Sequence, residues 1–432
     1  MQLSSHITPY ALMDPVTAEQ LSPVGGFRLG LALTLMALAF VPLVPSVEAL
    51  EGGMTMRGVI EFSLILTALA LLGIYLKAQG AFSFDLKSPP FLLISCFSFW
   101  AALSSIWSLN PVLTIAKSAE LWCISLAALM IVTLAVRSRM ADGRLETILG
   151  LSLVVVIGGL VMANIFYWGK PLPNTGDASL PLDFLGQEVS LERPRLILGY
   201  QHPLLTADLL ALAVLCLFTS NLRTVLKALL IPCLLILFWL TDARGPTGGL
   251  IVAMVALAVA KLRRNDVRAI AIMLAISAAV AAALVFQDRL PAALKPLMTD
   301  DVSTLNSRTE LWSGSLKQVL AQPILGTGYY ASRYVLMKDF QWAGHAHNSF
   351  LEVQITTGLV GLLMLLAFVG YVLKESLTTR HALLVAVTLY CLIQGMLNPL
   401  FFNPGLVMFV LMIALLNAAA EKQTTSLAQG RH

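Results

Sequence analysis

TIAKSAELWCISLAALMIVTLAV, residues 114–136, decides the fold. Past Lys117 and Glu120 the segment Leu121–Val136 carries no charge, and as an α-helix the whole stretch is long enough to cross about 30 Å of hydrocarbon. Runs of the same kind recur on either side. Together they predict about twelve membrane helices, at roughly 28–45, 58–77, 90–107, 114–136, 145–167, 204–220, 224–241, 246–262, 268–286, 349–373, 382–398 and 404–419. A β-barrel would instead alternate apolar and polar residues over strands of about 10 residues. Composition agrees: 58% of the 432 residues are hydrophobic and 12% charged, with mean hydropathy +0.82, against roughly 25% charged in soluble domains. The expected class is an all-α polytopic membrane protein.

The charge distribution predicts the orientation. With both termini cytoplasmic, the inside connections carry Arg28, Lys77, Lys87, Arg137, Arg139, Arg144, Arg223, Lys227, Lys261, Arg263, Arg264, Arg268, Lys374, Arg380, Lys422 and Arg431. The short outside connections carry only Arg57, Lys117 and Arg244, as the positive-inside rule requires. The net charge of +4 is therefore topological; the cations are too dispersed for a nucleic-acid surface. The opening residues contain Asp14 and Glu19 and lack a short basic leader, which reads as an uncleaved first helix. Cys96, Cys123, Cys216, Cys233 and Cys391 all fall in apolar runs without CxxC spacing and read as small core residues.

Two connections break the pattern of tight turns: an outside loop at 168–203 and a larger one at 287–347. The second holds Trp312, Tyr329, Tyr330 and Trp342 and an amphipathic helix at Leu311–Leu320, so it is expected to pack on the bundle as a cap. The organisation predicted is a cytoplasmic segment 1–27, helices one to nine over 28–286, the cap 287–347, helices ten to twelve over 348–419 and a cytoplasmic tail 420–432. Ionisable groups inside membrane helices cost about 3 kcal/mol each on insertion scales and mark function by default. Here they are Glu61, Lys117, Glu120, Asp208 and Glu352, each within about two turns of a helix's outer end. The inner half is expected to hold no comparable set. A transporter would need polar groups near mid-depth, so the pattern favours a site open to the outer leaflet.

The densest polar cluster is Gly344-His345-Ala-His347-Asn348-Ser349, leading into the helix that bears Glu352. Asn348 or Ser349 at the N-cap would place His347 at the positive helix end, neutral at pH 7 and available as a base. Arginines form a second set outside the membrane: Arg193, Arg195, Arg244, Arg289, Arg308 and Arg333. Their planar forks suit phosphate oxygens; Arg289 and Arg333 read as solvated or bound to lipid head groups. The two histidines lack a third ligand at familiar metal spacing, and Asp300, Asp301 and Asp339 are loosely placed, so no metal is predicted. No phosphate loop, nucleophile elbow or kinase signature supports ATP-driven chemistry, and no cofactor is expected.

His347-Asn348, nine residues, then Gly358-Leu-Val-Gly361 resembles the His-Asn-x9-Gly-x-x-Gly signature of bacterial O-antigen ligases of the WaaL type, within the Wzy/O-antigen ligase/O-oligosaccharyltransferase superfamily. Thr241-Asp-Ala-Arg244-Gly is similar to that family's Ser-Arg-Gly turn, with Ala243 where the family has Ser. Ser307-Arg308 with Trp312, Pro323–Gly328, Trp107–Pro111 and Gly199-Tyr-Gln-His202-Pro extend the likeness. The resemblance implies a GT-C-like glycosyltransferase architecture in the bacterial inner membrane. It also implies transfer of an undecaprenyl-diphosphate-linked O-antigen glycan to lipid A–core oligosaccharide on the periplasmic face, without metal. On this reading His347 is the general base, Arg244, Arg308 and Arg195 bind the diphosphate, and His345, Asn348 and Glu352 orient His347. A Wzy-type polymerase or protein O-oligosaccharyltransferase would share the donor and differ in acceptor. From another class, a lipid-linked glycan flippase would use the arginines for anionic cargo.

Overall fold

The computed structural model describes residues 23–43, 56–80, 86–138, 140, 142–169, 183–184, 187–188, 195–199, 202–262, 308–340 and 343–429. The helix expected at 268–286, the early part of the cap, Arg193, Arg289 and Trp342 lie outside these residues. The bundle helices described are α1 (Pro23–Ala39), α2 (Met56–Ala78), α3 (Pro89–Leu103), α4 (Pro111–Arg137), α5 (Arg144–Met162), α6 (Pro203–Thr219), α7 (Thr224–Trp239) and α8 (Arg244–Leu262). The cap contributes α9 (Arg308–Ala321) and α10 (Arg333–Leu336), and the bundle closes with α11 (Ser349–Thr379), α12 (Ala382–Gly395) and α13 (Leu406–Gln429). A two-residue antiparallel ribbon, Asp183–Phe184 against Gln187–Glu188, is the non-helical exception among the described elements, in a loop the sequence left without structure.

The helices fall where the apolar runs lie. Five of them are long and apolar enough to cross a membrane: Met56–Ala78, Pro89–Ile106, Pro111–Arg137, Arg144–Tyr167 and Ser349–Thr379, and shorter apolar helices of 10–17 residues surround them. Starts are set by local chemistry. Asn110 accepts from the Leu113 N–H ahead of Pro111, His202 caps the helix opened by Pro203, and Asn348 accepts from both Phe350 and Leu351. Phe99, Val155, Ile236 and Leu363 are exposed on the bundle exterior, where hydrocarbon rather than water is the compatible solvent.

One break in this regularity positions the site. Gly358, inside α11, has φ 67° and ψ −164°, dividing the helix into a stub, Ser349–Thr357, and a long apolar arm. The turn Pro323–Gly328 inserts at the break. Leu359 donates to Pro323 O, Thr327 to Ile355 O and Gly328 to Thr356 O, each at 2.9 Å, and Trp100 Nε1 donates to Thr357 O at 3.1 Å. These bonds satisfy the groups the missing helical turn would orphan, a requirement for irregular backbone in a membrane bundle. Only glycine serves at 358: the backbone is left-handed and a Cβ would overlap Ile324 O.

The cap has its own apolar core of Leu311, Val319, Val335, Leu336, Ala343, Ala346 and Ile355. Ala346 belongs to the histidine loop and Ile355 to the stub, so loop, stub and cap form one packed unit. Tyr329 seats that unit on the bundle: its hydroxyl donates to Phe402 O at 2.6 Å, and its ring meets Phe97, which stacks on Phe402 with ring centroids 3.8 Å apart.

Candidate functional site

A cavity of about 900 Å³ opens where α2, α4, α6, α8 and α13 begin and where α1, α7 and α12 end. Its lining includes Arg57, Lys117, Arg195, Arg244, Arg308 and Arg333, with Glu61, Asp208 and Asp242, and the histidines His202, His345 and His347. The volume lies at the upper end of the range for small-molecule sites. Cations from six separate segments therefore converge on one space.

The histidine loop is held from several sides. Trp312 Nε1 on α9 donates to Ala346 O at 3.1 Å. The Glu352 carboxylate accepts from the Ala346 N–H at 2.8 Å and from the Ser332 hydroxyl at 2.5 Å. Asn348 caps the stub and donates from Nδ2 to Met396 O at 3.2 Å, fixing the loop to the end of α12. His347, with φ 48°, adopts a left-handed conformation uncommon for a non-glycine residue, which the surrounding bonds sustain. Its N–H donates to His345 Nδ1 at 3.3 Å, and the two rings lie 4.1 Å apart. Glu352 thus acts on the backbone beside His347 rather than on its ring, and Asn348 acts as cap and tether.

Electrostatics keep the three histidines neutral. Burial lowers the pKa of His347 to about 2, assisted by His345, Arg308 and His202. Burial, then His202, Arg333 and Arg308, takes His345 to about 4. His202 is reached by solvent through the cavity, yet the surrounding protein and then Arg195 and Arg308 hold it below the ordinary histidine value. Neutral rings beside guanidinium groups make a surface that receives an anion and retains an unprotonated nitrogen.

Arg195 enters on the segment Arg195–Gly199. Leu196 donates to Leu240 O at 2.7 Å, Asn164 Nδ2 donates to Ile197 O at 2.6 Å, and Gly199 donates back to Asn164 Oδ1 at 3.0 Å. Asn164 points inward from a π turn, Ala163–Tyr167, that ends α5. Arg195 also pairs with Asp242 at 3.6 Å, just ahead of Arg244 on the first turn of α8. Across the cavity Lys117 pairs with Glu120 at 2.6 Å and Glu61 at 3.4 Å, and sits 5.4 Å from the centroid of the Tyr330 ring. Asp208 on α6 accepts from the Tyr390 hydroxyl of α12.

The structure brings Arg195, Arg244, Arg308, His345 and His347 to this single cavity. Glu352 lines a small adjoining pocket. Several lining residues were not singled out as site residues in the sequence, Asp242 among them. Arg333 lines the cavity instead of standing in solvent or lipid, and Arg57 and His202 join it. Only the Gly199–Pro203 likeness touched His202; it is 143 residues from His345, and the fold makes them neighbours. Among the described residues no group of three or more His, Cys, Asp or Glu is arranged to hold a metal.

The expectation that the inner half holds no comparable set of ionisable groups does not hold. At the opposite end of the bundle, His381 Nε2 lies 3.2 Å from Glu146 and 3.5 Å from Glu421, and Lys422 lies 3.2 Å from Glu375. Glu146 and Glu375 are buried, and the set ties α5, α11, α12 and α13 together. Its charges are paired locally, which is why they are tolerated there.

Residues 228–366, about a third of the chain, match the Wzy_C family model, described as O-Antigen ligase. That span carries Arg244, Arg308, His345, His347 and Gly358, whereas Arg195 and His202 precede it. A 74-residue stretch is 35% identical to the exopolysaccharide production protein ExoQ of Rhizobium meliloti (strain 1021), covering 15% of this chain and 17% of that protein. These two stretches are thus similar to the O-antigen ligase superfamily, and the long apolar helices are those of a multi-pass membrane protein.

Proposed function

We propose that this chain is an O-antigen ligase of the bacterial inner membrane, with about twelve spans and both termini cytoplasmic. It transfers a glycan from undecaprenyl diphosphate to lipid A–core oligosaccharide at the periplasmic face. The observation that carries the reading is the convergence of a neutral His347 and guanidinium groups from distant segments on one cavity. An inverting transfer needs a base for the acceptor hydroxyl and positive charge for the departing diphosphate. His347 takes the hydroxyl proton as the acceptor oxygen bonds to the anomeric carbon; the bond from that carbon to the diphosphate breaks, and the lipid diphosphate leaves with the electron pair. Arg244, Arg308 and Arg195 stabilise the developing charge, the task a bound cation performs in other phosphate sites.

The depressed pKa of His347 has a consequence. The surrounding protein holds the base in the correct neutral form but at low base strength. A diphosphate beside Arg308 offsets one of the charges that disfavour the imidazolium, so donor binding strengthens the base at the moment it is used.

The similarity to an exopolysaccharide production protein favours a second reading, a polymerase with the same donor and a second lipid-linked glycan as acceptor. Purified full-length protein in lipid nanodiscs, given lipid-linked glycan with lipid A–core, a second lipid-linked glycan or a peptide in turn, separates the acceptors. Transfer to lipid A–core alone is the expected result; elongated lipid-linked glycan would establish the polymerase, and a glycosylated peptide a protein O-oligosaccharyltransferase. Movement of intact lipid-linked glycan without bond cleavage would make it a flippase.

A further inference from the structure

Resting on the lipid-diphosphate reading above, we propose that His202 contacts the substrate directly, donating its Nε2–H to a phosphoryl oxygen beside Arg195 and Arg308. The backbone fixes where the ring sits. His202 is the N-cap of α6, in extended conformation at φ −74° and ψ 146°, and its Nδ1 accepts from the Leu204 N–H at 3.3 Å. In a neutral ring whose Nδ1 is the acceptor, the proton resides on Nε2. The near edge is committed to the helix, which leaves the distal edge and its N–H for the cavity that His202 lines and through which solvent reaches it.

Two features make that N–H a phosphate donor rather than a base. Its acceptor lone pair is used by the cap, so it has none to offer a hydroxyl proton. Its neighbours are guanidinium groups, which disfavour an imidazolium and attract the same anion. An uncharged donor adds direction to anion binding without adding to the repulsion among the arginines, and its bond to a charged acceptor is of the stronger class.

The capping role permits a clean separation. Asparagine is among the best N-cap residues but is too short to replace the distal N–H. Glutamine caps poorly and places an amide N–H near the position of Nε2. His202→Asn in the full chain should therefore keep the wild-type thermal midpoint while weakening inhibition of glycan transfer by inorganic pyrophosphate, and raising the donor KM, about tenfold. His202→Gln should stay within about threefold of wild type on both measures by the same arithmetic. Both variants should keep an acid limb in the pH–rate profile, displaced at most slightly to higher pH because His202 is one of the groups that lower the His347 pKa. Wild-type pyrophosphate inhibition and KM in His202→Asn would overturn the proposal and leave His202 as a cap alone; loss of the acid limb would overturn it in favour of a titrating base. If wild-type protein transfers glycan but pyrophosphate has no effect on it, the direct phosphate contact is overturned while the ligase reading stands. If wild-type protein transfers nothing to any acceptor, the ligase reading falls first.

Discussion

His202 and His381 occupy the same local position in opposite electrostatic surroundings. Each caps a helix, α6 or α12, with Nδ1 facing a backbone N–H two or three residues on. His202 stands among arginines and stays neutral. Burial also disfavours charge on His381, but hydrogen bonds to Glu146 and Glu421 outweigh it and lift its pKa to about 9. Protonation there gives up a long 3.4 Å contact from the Leu384 N–H and gains charge against two carboxylates. The backbone decides where a ring sits, and the neighbours from other helices decide its protonation state. One end of the bundle is thereby left open to an anion, while the other is closed by its own ion pairs.

The largest test of that contrast removes the base from the open end. His347→Ala is predicted to lower glycan transfer by roughly 10²–10⁴-fold. Insertion and the thermal midpoint should be unchanged or higher, because folding disfavours protonation of this ring. Near-normal modification of lipid A–core by this variant would remove the functional distinction between the two ends. Arg308→Lys comes next: it keeps the charge but loses the planar fork, and the donor KM is expected to rise about tenfold or more. Arg308→Gln removes the charge as well. With one cause of the depressed His347 pKa gone, the acid limb of the pH–rate profile should move to higher pH, whereas Arg308→Lys should leave it in place. Identical limbs in the two variants would mean that Arg308 does not set the protonation of the base.

Much of this arrangement was legible in the sequence, and the part that was not shares one cause. Apolar runs located the helices because a bilayer demands long uncharged segments whatever their neighbours are. The amphipathic stretch at Leu311–Leu320 and the cap at Asn348 were readable because both are local signals. The break at Gly358 was not, and the run from Ser349 read as one continuous helix. What unwinds it is the turn Pro323–Gly328, brought there through the cap, while Trp100 from α3 donates to Thr357 O at the break. His202 and Arg333 escaped for the same reason, since a cap before proline and a lone loop arginine look ordinary until other segments surround them. Glu146 and Glu375 were not picked out because their partners, His381 and Lys422, are contributed by other helices or by the turn between them.

The smallest effect expected is at the closed end, and it is a matter of stability. A histidine raised from about 6.5 to about 9 on folding stabilises by about 3 kcal/mol at most. Because the folded pKa lies above the unfolded one, this contribution is fully present below pH 6.5 and is lost as pH rises through 9. The site histidines behave in the opposite sense: their folded pKa values are depressed, the unfolded chain takes up more protons below about pH 6.5, and acid weakens the fold there. Glu146→Gln takes one of two carboxylates from His381, the buried one, since Glu421 is about half exposed. It should lower stability at pH 6 by about 1–2 kcal/mol and flatten the decline between pH 6.5 and 9, while leaving the acid decline and glycan transfer unchanged. Thermal unfolding of the full chain in nanodiscs across pH 5–9 reads both limbs at once. An unchanged alkaline limb in Glu146→Gln would show that His381 is not held protonated by this carboxylate, and the charge contrast between the two capping histidines would then rest on Glu421.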